Sequence, residues 1–341
     1  MRHPQLKSGA PARSIGLKVL LALATLPAMS TLWPAQALAQ AWPSKPVRIV
    51  VPYPPGGGVD FVARTVAQRL GDGLKQSFVI ENRAGASGSI GADAVAKSAP
   101  DGYAVLVASP AEVLIGPIAG QKVAYDVERD LAPVTLIGET PLVIAAHPSL
   151  PAKTMQEFLA LAKTAPGKYS YGTPGGGSSM HFAGESMKAL GGVFVLHIPY
   201  RGAAPVVSDL LGGQVPLGIV GMPPTVPHAK SGKLRILAVT SDKRSSAMPE
   251  VPAVAELPGF GGYRFTNWMG VYVPARTPQA VIDRLATDIA RIVREPETRD
   301  KLLSQGVEPV GNTPAEFRAF LRDETQRYAK IARERQIKSD D

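Results

Sequence analysis

The sequence predicts an α/β protein whose chain builds two successive, mostly parallel sheets flanked by helices. Short runs rich in β-branched residues alternate with segments whose apolar residues recur at helical spacing, which is typical of βαβ units. The series starts again beyond residue 134, so a second sheet is expected after the first. In each half, one strand leads into Pro-Gly-Gly-Gly and then into a helix, at 55–58 and at 174–177.

The first half is predicted to contain three strands and two intervening helices. In the first helix, the apolar residues from Val59 to Leu70 recur every three or four positions, as on the buried face of a helix. The predicted elements are strand 47–51, a helix over 59–70, strand 78–81, a helix near 90–97 and strand 103–108.

The second half is predicted to repeat this alternation. Its first helix follows Thr154, which forms a capping-box sequence with Glu157. The other predicted elements are strands 142–146, 169–171, 193–198, 215–220 and 234–240 and helices 180–190 and 205–211.

The last third begins with an aromatic strand over 263–273 and ends with two helices. Thr277-Pro278 opens the first of them, with Pro278 expected at the first helical position, where its missing N–H leaves no hydrogen bond unmade. Thr313-Pro314-Ala315-Glu316 is expected to open the final helix in the same way.

The N-terminus has the pattern of a secretory signal peptide. Four Lys or Arg residues stand before an apolar run at 19–32, and Ala37 and Ala39 form a small-x-small cleavage pattern. The alternative is an uncleaved membrane anchor, but the run contains Pro27 and is shorter than the ~18–20 apolar residues that a spanning helix needs. We therefore expect residues 1–39 to be removed and the mature protein to be exported.

The composition excludes several classes of site. The 341 residues include no Cys, which rules out disulfides, thiolate metal sites and cysteine nucleophiles. The five His residues lack metal-ligand spacing, so we expect no metal and no cofactor. Removal of residues 1–39 lowers the formal net charge from +9 to about +5, a modest excess that needs no nucleic acid as partner. Ser178 also stands where a P-loop requires its phosphate-binding Lys, which argues against nucleotide hydrolysis.

The two Gly-rich loops are the strongest binding signal. Beyond the carboxyl ends of parallel strands, glycines allow close backbone approach and the next helix presents unpaired N–H groups to an anion. Neither loop contains Lys or Arg, so an anion there would be met by backbone donors and by Thr173, Ser178 or Ser179. The alternative is that each Gly run forms only a tight turn.

Single residues near these loops admit two interpretations each. Asp60 is predicted to cap the following helix in preference to contacting a ligand. His181 could contact the ligand or serve in capping and packing. Arg64, Arg83 and Arg201 could act as long-range counter-charges or be solvated.

Several segments together resemble one known family. The sequence KPVRIVVPYPPGGGVD at 45–60 is similar to the opening signature of the Bug (Bordetella uptake gene) family, extracytoplasmic receptors of tripartite tricarboxylate transporters. The similarity continues in the expected order through segments 81–85, 100–103, 171–181, 199–202, 209–215, 232–240 and 274–278.

The resemblance implies a two-domain periplasmic-binding-protein fold, or Venus flytrap, with the second domain inserted into the first. The expected first domain comprises 40–139 and 267–341, and the expected second domain 140–266. Two crossover strands are expected at about 140–147 and 263–271.

The resemblance also implies a function and a site. The function is capture of a small carboxylate-bearing metabolite in the periplasm by a monomeric, non-enzymatic receptor that serves membrane permease subunits. Alternatives are a ligand sensor or docking protein without transport, and a hydrolase using His181 with Ser178 or Ser179. The expected ligand-binding residues are Tyr53, Pro55, Gly56, Gly57, Gly58, Asp60, Gly85, Ala86, Ser87, Ser109, Thr173, Gly175, Gly176, Gly177, Ser178, Ser179 and His181.

Two segments depart from the family pattern. Ala84 stands where Pro is usual, a change confined to the stiffness of a turn. The segment 111–116, Ala-Glu-Val-Leu-Ile-Gly, replaces a segment that usually contains Asn-Pro and lies near the cleft. The pocket is therefore expected to differ from that of relatives at 111–116.

Export should leave a mature chain that begins at Gln40, because Ala37 and Ala39 supply the small residues that signal peptidase requires. The intact mass of protein recovered from the periplasm of an expressing cell measures this directly. A recovered chain that still contains Lys18 would contradict the prediction.

Overall fold

Strands and helices alternate along the chain in the order predicted, with several short helices added. A computed structural model describes residues 42–200 and 202–338. The predicted signal peptide and Arg201 lie outside the described residues. The elements up to the first long strand are β1 (Val47–Val51), α1 (Gly58–Leu74), β2 (Phe78–Asn82), α2 (Ser89–Ala96), β3 (Ala104–Ala108), α3 (Gly116–Ile118), α4 (Val127–Asp130) and β4 (Leu131–Ala146).

The middle of the chain continues the alternation, and the last part is mainly helical. The middle elements are α5 (Met155–Thr164), β5 (Ser170–Thr173), α6 (Ser179–Gly191), β6 (Leu196–Pro199), α7 (Ala203–Leu211), β7 (Leu217–Gly221), α8 (Val226–Lys230) and β8 (Arg235–Val239). The last elements are β9 (Thr266–Pro274), α9 (Gln279–Arg294), α10 (Pro296–Leu303), β10 (Glu308–Pro309) and α11 (Pro314–Arg335). None of the helices within the described ranges is both long and apolar enough to cross a bilayer.

The helices form where the sequence places apolar stripes and caps. In α1 the predicted stripe is buried, and it packs on the same core cluster as β1 and α9. Thr154 and Thr313 are N-caps as predicted, each accepting a hydrogen bond from the backbone N–H three residues on. Pro278 was predicted at the first helical position of α9, but it is the N-cap residue and the helix begins at Gln279. The Pro there has ψ of 136°, an extended value that sets it just outside the helix.

The strands join in the order β2-β1-β3-β9-β4-β7-β5-β6, with β8 and β10 also paired to β4. We call β1, β2, β3, β9, β10 and the first part of β4 the first sheet, and β5 to β8 with the last part of β4 the second sheet. Strand β1 is parallel to β2 and β3, and β5 is parallel to β6 and β7. The prediction of mostly parallel sheets is wrong around β4 and β9, because these strands run antiparallel to their neighbours.

Strand β4 belongs to both sheets. Its residues from Leu131 to Pro141 pair with β9, and those from Leu142 to Ala146 pair with β7. The change of partner falls inside the crossover predicted at 140–147. Phe265, just before β9, donates its N–H to the carbonyl of Thr240, which follows β8. The two predicted crossovers therefore coincide with the places where the chain passes between the sheets.

The last helix covers aromatic residues that come from distant parts of the chain. Tyr328 of α11 packs edge-on against Phe182 of α6 at 4.9 Å and against Phe265 at 5.8 Å between ring centroids. Phe317, near the start of α11, packs in the same way against Trp268 of β9. All of these rings are buried, so α11 completes a core to which α6 and β9 both contribute.

Candidate functional site

The predicted site residues lie in two groups, each beyond the carboxyl ends of parallel strands. The first loop group follows β1, β2 and β3 and comprises Tyr53, Pro55, Gly56, Gly57, Gly58, Asp60, Gly85, Ala86, Ser87 and Ser109. The second loop group follows β5 and comprises Thr173, Gly175, Gly176, Gly177, Ser178, Ser179 and His181. Because the strands within each parallel set point the same way, their ends bring the members of each group to one edge.

The glycines after β1 leave the start of α1 uncovered by side chains. Gly56 has φ of +87°, a conformation that favours glycine, and Gly57 is the N-cap residue. At Gly58, the first residue of α1, an added Cβ would have no atom within 4 Å. A ligand can therefore approach the first-turn N–H groups closely.

Asp60 is a buried residue that ties this loop together. It was predicted as the N-cap, but the cap is Gly57, and Asp60 lies in the first turn with 2% of its surface exposed. Its carboxylate accepts from Gly56 N at 2.9 Å, Arg64 Nε at 2.9 Å and Asn82 Nδ2 at 2.8 Å. Burial raises the pKa of Asp60, but these hydrogen bonds outweigh it and the net pKa is lowered.

The candidate counter-charges in the described part of the chain have local partners. Arg64 pairs with Asp60 and donates to Asn82 Oδ1 at 3.1 Å. Arg83 pairs with Glu81. Both guanidinium groups thus neutralise nearby carboxylates, Arg64 within α1 and Arg83 at the end of β2, which supports their structural interpretation. Arg201 lies outside the described residues.

The loop after β2 has an unusual backbone. Gly85, Ala86, Ser87 and Gly88 all have positive φ, at 133°, 45°, 51° and 94°. Such conformations at Ala and Ser cost of order 1–3 kcal/mol each, and they concentrate at functional sites. Gln121 Nε2 donates to Ala86 O at 3.2 Å and so helps to hold the loop.

Behind these loops lies Glu112, which sequence reasoning missed as a site residue. Its carboxylate oxygens contact Tyr53 Oη at 2.6 Å, Ser109 N at 2.7 Å and Ser109 Oγ at 2.8 Å. A Cβ on Gly88 would lie 3.0 Å from this carboxyl group. Glu112 therefore lies against all three segments of the first loop group. Its signal in the sequence was its place in the segment 111–116 that departs from the family pattern.

In the second loop group the hydroxyls organise the loop and the helix start. Ser178 is the N-cap of α6, accepting from His181 N at 3.3 Å and donating to Gly175 O at 2.7 Å. Thr173 Oγ1 also donates to Gly175 O, at 3.1 Å. Ser179 Oγ donates to Met180 Sδ at 3.3 Å. The Ser178–His181 contact is thus a helix cap and not the hydroxyl-to-imidazole contact that a hydrolase would use.

The imidazole of His181 belongs to a polar cluster beside the loop. It stacks on His197, with ring centroids 3.9 Å apart and planes inclined by 14°, and its Nδ1 accepts from Gly177 N at 3.1 Å. His197 Nε2 lies 2.7 Å from Thr173 Oγ1. His197 was assigned no role from the sequence, because a His in a strand pattern carries no sign of its neighbours across the sheet.

The cluster also includes the carboxylate of Glu185, a residue of α6. Its Oε1 accepts from Tyr171 Oη at 2.8 Å and from Lys188 Nζ at 2.7 Å, and it lies 3.9 Å from His181 Nε2. Across residues 42–200 and 202–338, no group of three or more His, Asp or Glu side chains is arranged to hold a metal ion.

Comparison with known families agrees with this architecture. The model of the family described as tripartite tricarboxylate transporter family receptor, TctC, matches residues 62–337. This chain belongs to the TctC family. The resemblance to Bug proteins is confirmed, since the chain is 38% identical over 301 residues to the protein BugT of Bordetella pertussis, covering 88% of this chain and 92% of BugT.

Two solved structures with a similar fold are described with a carboxylate. The R. palustris protein Rpa4515 with adipate is 34% identical and superposes with a TM-score of 0.77, over 87% of this chain and 99% of that one. MatC (Rpa3494) from Rhodopseudomonas palustris with bound malate is 26% identical, with a TM-score of 0.70 over 85% and 99% of the two chains. The periplasmic-binding-protein fold is confirmed for this TctC-family chain, because the chain superposes with a TM-score of 0.73 on a solved periplasmic binding protein that is 30% identical to it. Its relatives are solute-binding proteins and not enzymes.

Replacing Asp60 by Asn should destabilise the protein by about 1–3 kcal/mol at pH 7, because an amide cannot accept from all three donors. The lowered pKa of Asp60 means that its contribution is present above the ordinary carboxyl pKa and is lost as pH falls through the lowered value. The difference in the free energy of unfolding between wild type and Asp60→Asn should therefore shrink in strong acid.

Urea unfolding at neutral and acidic pH measures this difference. Asp72→Asn, at an exposed position of the same helix, is the matched control and should change stability little. An equal loss of unfolding free energy in Asp60→Asn and Asp72→Asn would contradict the role given to Asp60.

Proposed function

We propose that this chain captures a small carboxylate-bearing metabolite between the first and second loop groups and presents it to the permease subunits of a tripartite tricarboxylate transporter. The observation that carries this proposal is the pairing of two glycine-bordered helix starts, α1 and α6, at strand ends of a chain in the TctC family. Each helix start offers N–H donors and a partial positive charge to an anion.

Backbone donors are the main anion-binding groups in this proposal. The cations nearest the first loop group, Arg64 and Arg83, are paired, while the hydroxyls of Thr173 and Ser178 hold the second loop in shape. Hydrogen bonds to a charged group contribute roughly 1.5–3 kcal/mol each. Four or five of them, reduced by ordering costs, supply the ~8 kcal/mol of a micromolar site.

The relatives support a carboxylate as the ligand. Rpa4515 is described with adipate and MatC with malate, both dicarboxylates of modest size. Two carboxylates at the ends of one molecule suit two separate anion-binding helix starts. We therefore propose a ligand with a carboxylate for at least one of the two loop groups.

We further propose that the sheets correspond to two domains, 40–139 with 267–341 and 140–266, which close on the ligand. The exchange of partners by β4 at residues 141 and 142 supports a boundary there. We also propose that the protein is exported to the periplasm by the predicted signal peptide and acts there as a monomer.

Gly58→Val should weaken binding of adipate or malate at least tenfold, which corresponds to about 1.4 kcal/mol. The added side chain would stand beside the first N–H groups of α1 without meeting any protein atom within 4 Å of its Cβ. The expected loss therefore comes from obstructed ligand approach. Calorimetric titration with each acid measures it.

Gly261→Val is the matched control, because Gly261 also has open space around its Cβ and lies on an exposed loop away from both loop groups. It should bind like wild type. Unchanged affinity in Gly58→Val would contradict the assignment of the first loop group. Failure of wild type to bind any acid of a wider carboxylate panel would contradict the function.

Domain closure should reduce the radius of gyration when the ligand is added, because a ligand held by both loop groups favours the closed arrangement. Small-angle scattering with and without saturating ligand measures this change. An unchanged radius together with tight binding would indicate a site on one domain only.

A further inference from the structure

Two hydroxyls of the first loop group, those of Tyr53 and Ser109, and the carboxylate of Glu112 behind them lie within hydrogen-bond distance of one another. Tyr53 Oη is 2.6 Å from Glu112 Oε2, Ser109 Oγ is 2.8 Å from the same oxygen, and the two hydroxyl oxygens are 2.7 Å apart. Ser109 N donates to the other oxygen of Glu112 at 2.7 Å. Glu112 is fully buried. Tyr53 is partly exposed as a residue, but burial of its phenol raises the pKa of that group well above its ordinary value.

Counting protons shows which form of Glu112 fits this triangle. Each short contact between two oxygens requires one proton between them. The hydroxyls of Tyr53 and Ser109 supply one proton each, so an ionised Glu112 leaves one of the three contacts as two facing lone pairs. A protonated Glu112 supplies the third proton and satisfies every contact.

The surroundings of Glu112 favour the neutral acid. Burial raises its pKa to about 7, although the hydrogen bonds from Tyr53 and Ser109 act in the opposite direction. Tyr125 donates to the backbone carbonyl of Glu112 at 2.6 Å. Tyr272 of β9 lies near enough that, after burial, the charge of Glu112 also raises the pKa of its phenol. On the side of α2, the charged group near Tyr125 is Asp93, which is also acidic.

No cation offsets this acidity in the described part of the chain. There Glu112 has hydrogen bonds only to neutral donors and forms no ion pair. A buried carboxylate without a cation is the form that low-dielectric surroundings disfavour most.

We propose that Glu112 is a positioning residue whose proton decides whether the first loop group offers a side-chain hydroxyl donor to an anionic ligand, in addition to the backbone N–H groups at the start of α1. This inference rests on the proposed carboxylate-binding function. In the protein without ligand the protonated acid completes the triangle. When an anionic ligand approaches, Glu112 can donate to Ser109 and Ser109 to Tyr53, so that Tyr53 gives up its hydrogen bond to Glu112 and turns its own proton to the ligand. The ionised acid accepts from both hydroxyls and places a negative charge behind them.

The consequence is a specificity that depends on pH. Carboxylate binding takes up a proton from solvent when Glu112 is ionised, so affinity falls as pH rises. A ligand that presents N–H donors to Tyr53 and Ser109 is favoured by the ionised form. The same site therefore distinguishes anionic ligands from those that carry an ammonium or amide group at this end.

Infrared spectroscopy tests the proton without any ligand. The difference spectrum between wild type and Glu112→Gln should contain the carbonyl stretch of a protonated carboxylic acid at pH 6 and lose it at pH 8.5. Gln keeps the size of the side chain and can still accept from Ser109 N. Absence of the acid band at pH 6 would overturn the proposal whatever the binding behaviour.

Calorimetry with adipate and with malate as probes tests the ligand linkage. If only the protonated form binds, wild type should lose affinity by about 30-fold between pH 6 and pH 8.5, since the protonated fraction for a pKa of about 7 falls by that factor. Glu112→Gln should change less than threefold, and Glu128→Gln, at an exposed position, should behave as wild type. Titration of His181 or His197 would affect wild type and Glu112→Gln alike.

The outcomes separate this inference from the proposed function. Binding to wild type whose pH dependence persists in Glu112→Gln would overturn the ligand linkage. Tyr53→Phe provides a second test, because it should weaken binding at pH 6 and remove most of the pH dependence. In a third outcome the acid band is present but neither adipate nor malate binds wild type at pH 6. The proposed carboxylate binding then fails for these probes, and so does the link between Glu112 protonation and affinity. The protonated state of Glu112 would still be established by the infrared band.

Discussion

The long strand β4 is the constraint on which the rest of the structure depends. Its 16 residues pair with β9 and β10 in the first sheet and with β7 and β8 in the second, so one segment fixes the register of both. The parallel strands β1 and β5 are attached to this frame through β9 and β7. Because every candidate ligand contact follows a parallel strand, the positions of both loop groups derive from the pairing of β4.

A second principle is that side chains around the loops already have partners within the protein. Asp60 holds the first loop through three donors, and Ser178 holds the second through a cap. Such pairing fixes the shape of a loop before any ligand arrives, which lowers the ordering cost of binding. It also explains why backbone donors at helix starts, and not cations, are the groups assigned to the ligand.

The sequence predicts the elements well where local signals suffice. Such signals come from residues that are close together in the sequence. They are the apolar stripe of α1, the helix caps at Thr154 and Thr313 and the two Pro-Gly-Gly-Gly loops. The antiparallel course of β4 and β9 was not predicted, because strand direction depends on pairing between distant residues. Glu112 and His197 were missed as site residues for the same reason.

Family resemblance filled part of this gap and left another part open. It implied the crossovers and the loop groups, and most residues of the loop groups lie in segments that match the family pattern. It offered no residue to carry over at 111–116, where the pattern is broken, and there only the positions of Tyr53 and Ser109 around Glu112 define the chemistry. A residue's partners across the fold are physical information that spacing along the chain does not contain.

The aromatic packing of α11 bears on how the protein is made. Phe182, Phe265 and Trp268 find their ring partners Tyr328 and Phe317 only after the chain has been synthesised as far as α11. Synthesis proceeds at roughly 5–20 residues per second, so the ring of Phe182 in α6 lacks its partner for roughly 7–30 seconds between the synthesis of Phe182 and that of Tyr328. Completion of this core is therefore a late, long-range step of folding that the local formation of α6 or β9 cannot replace.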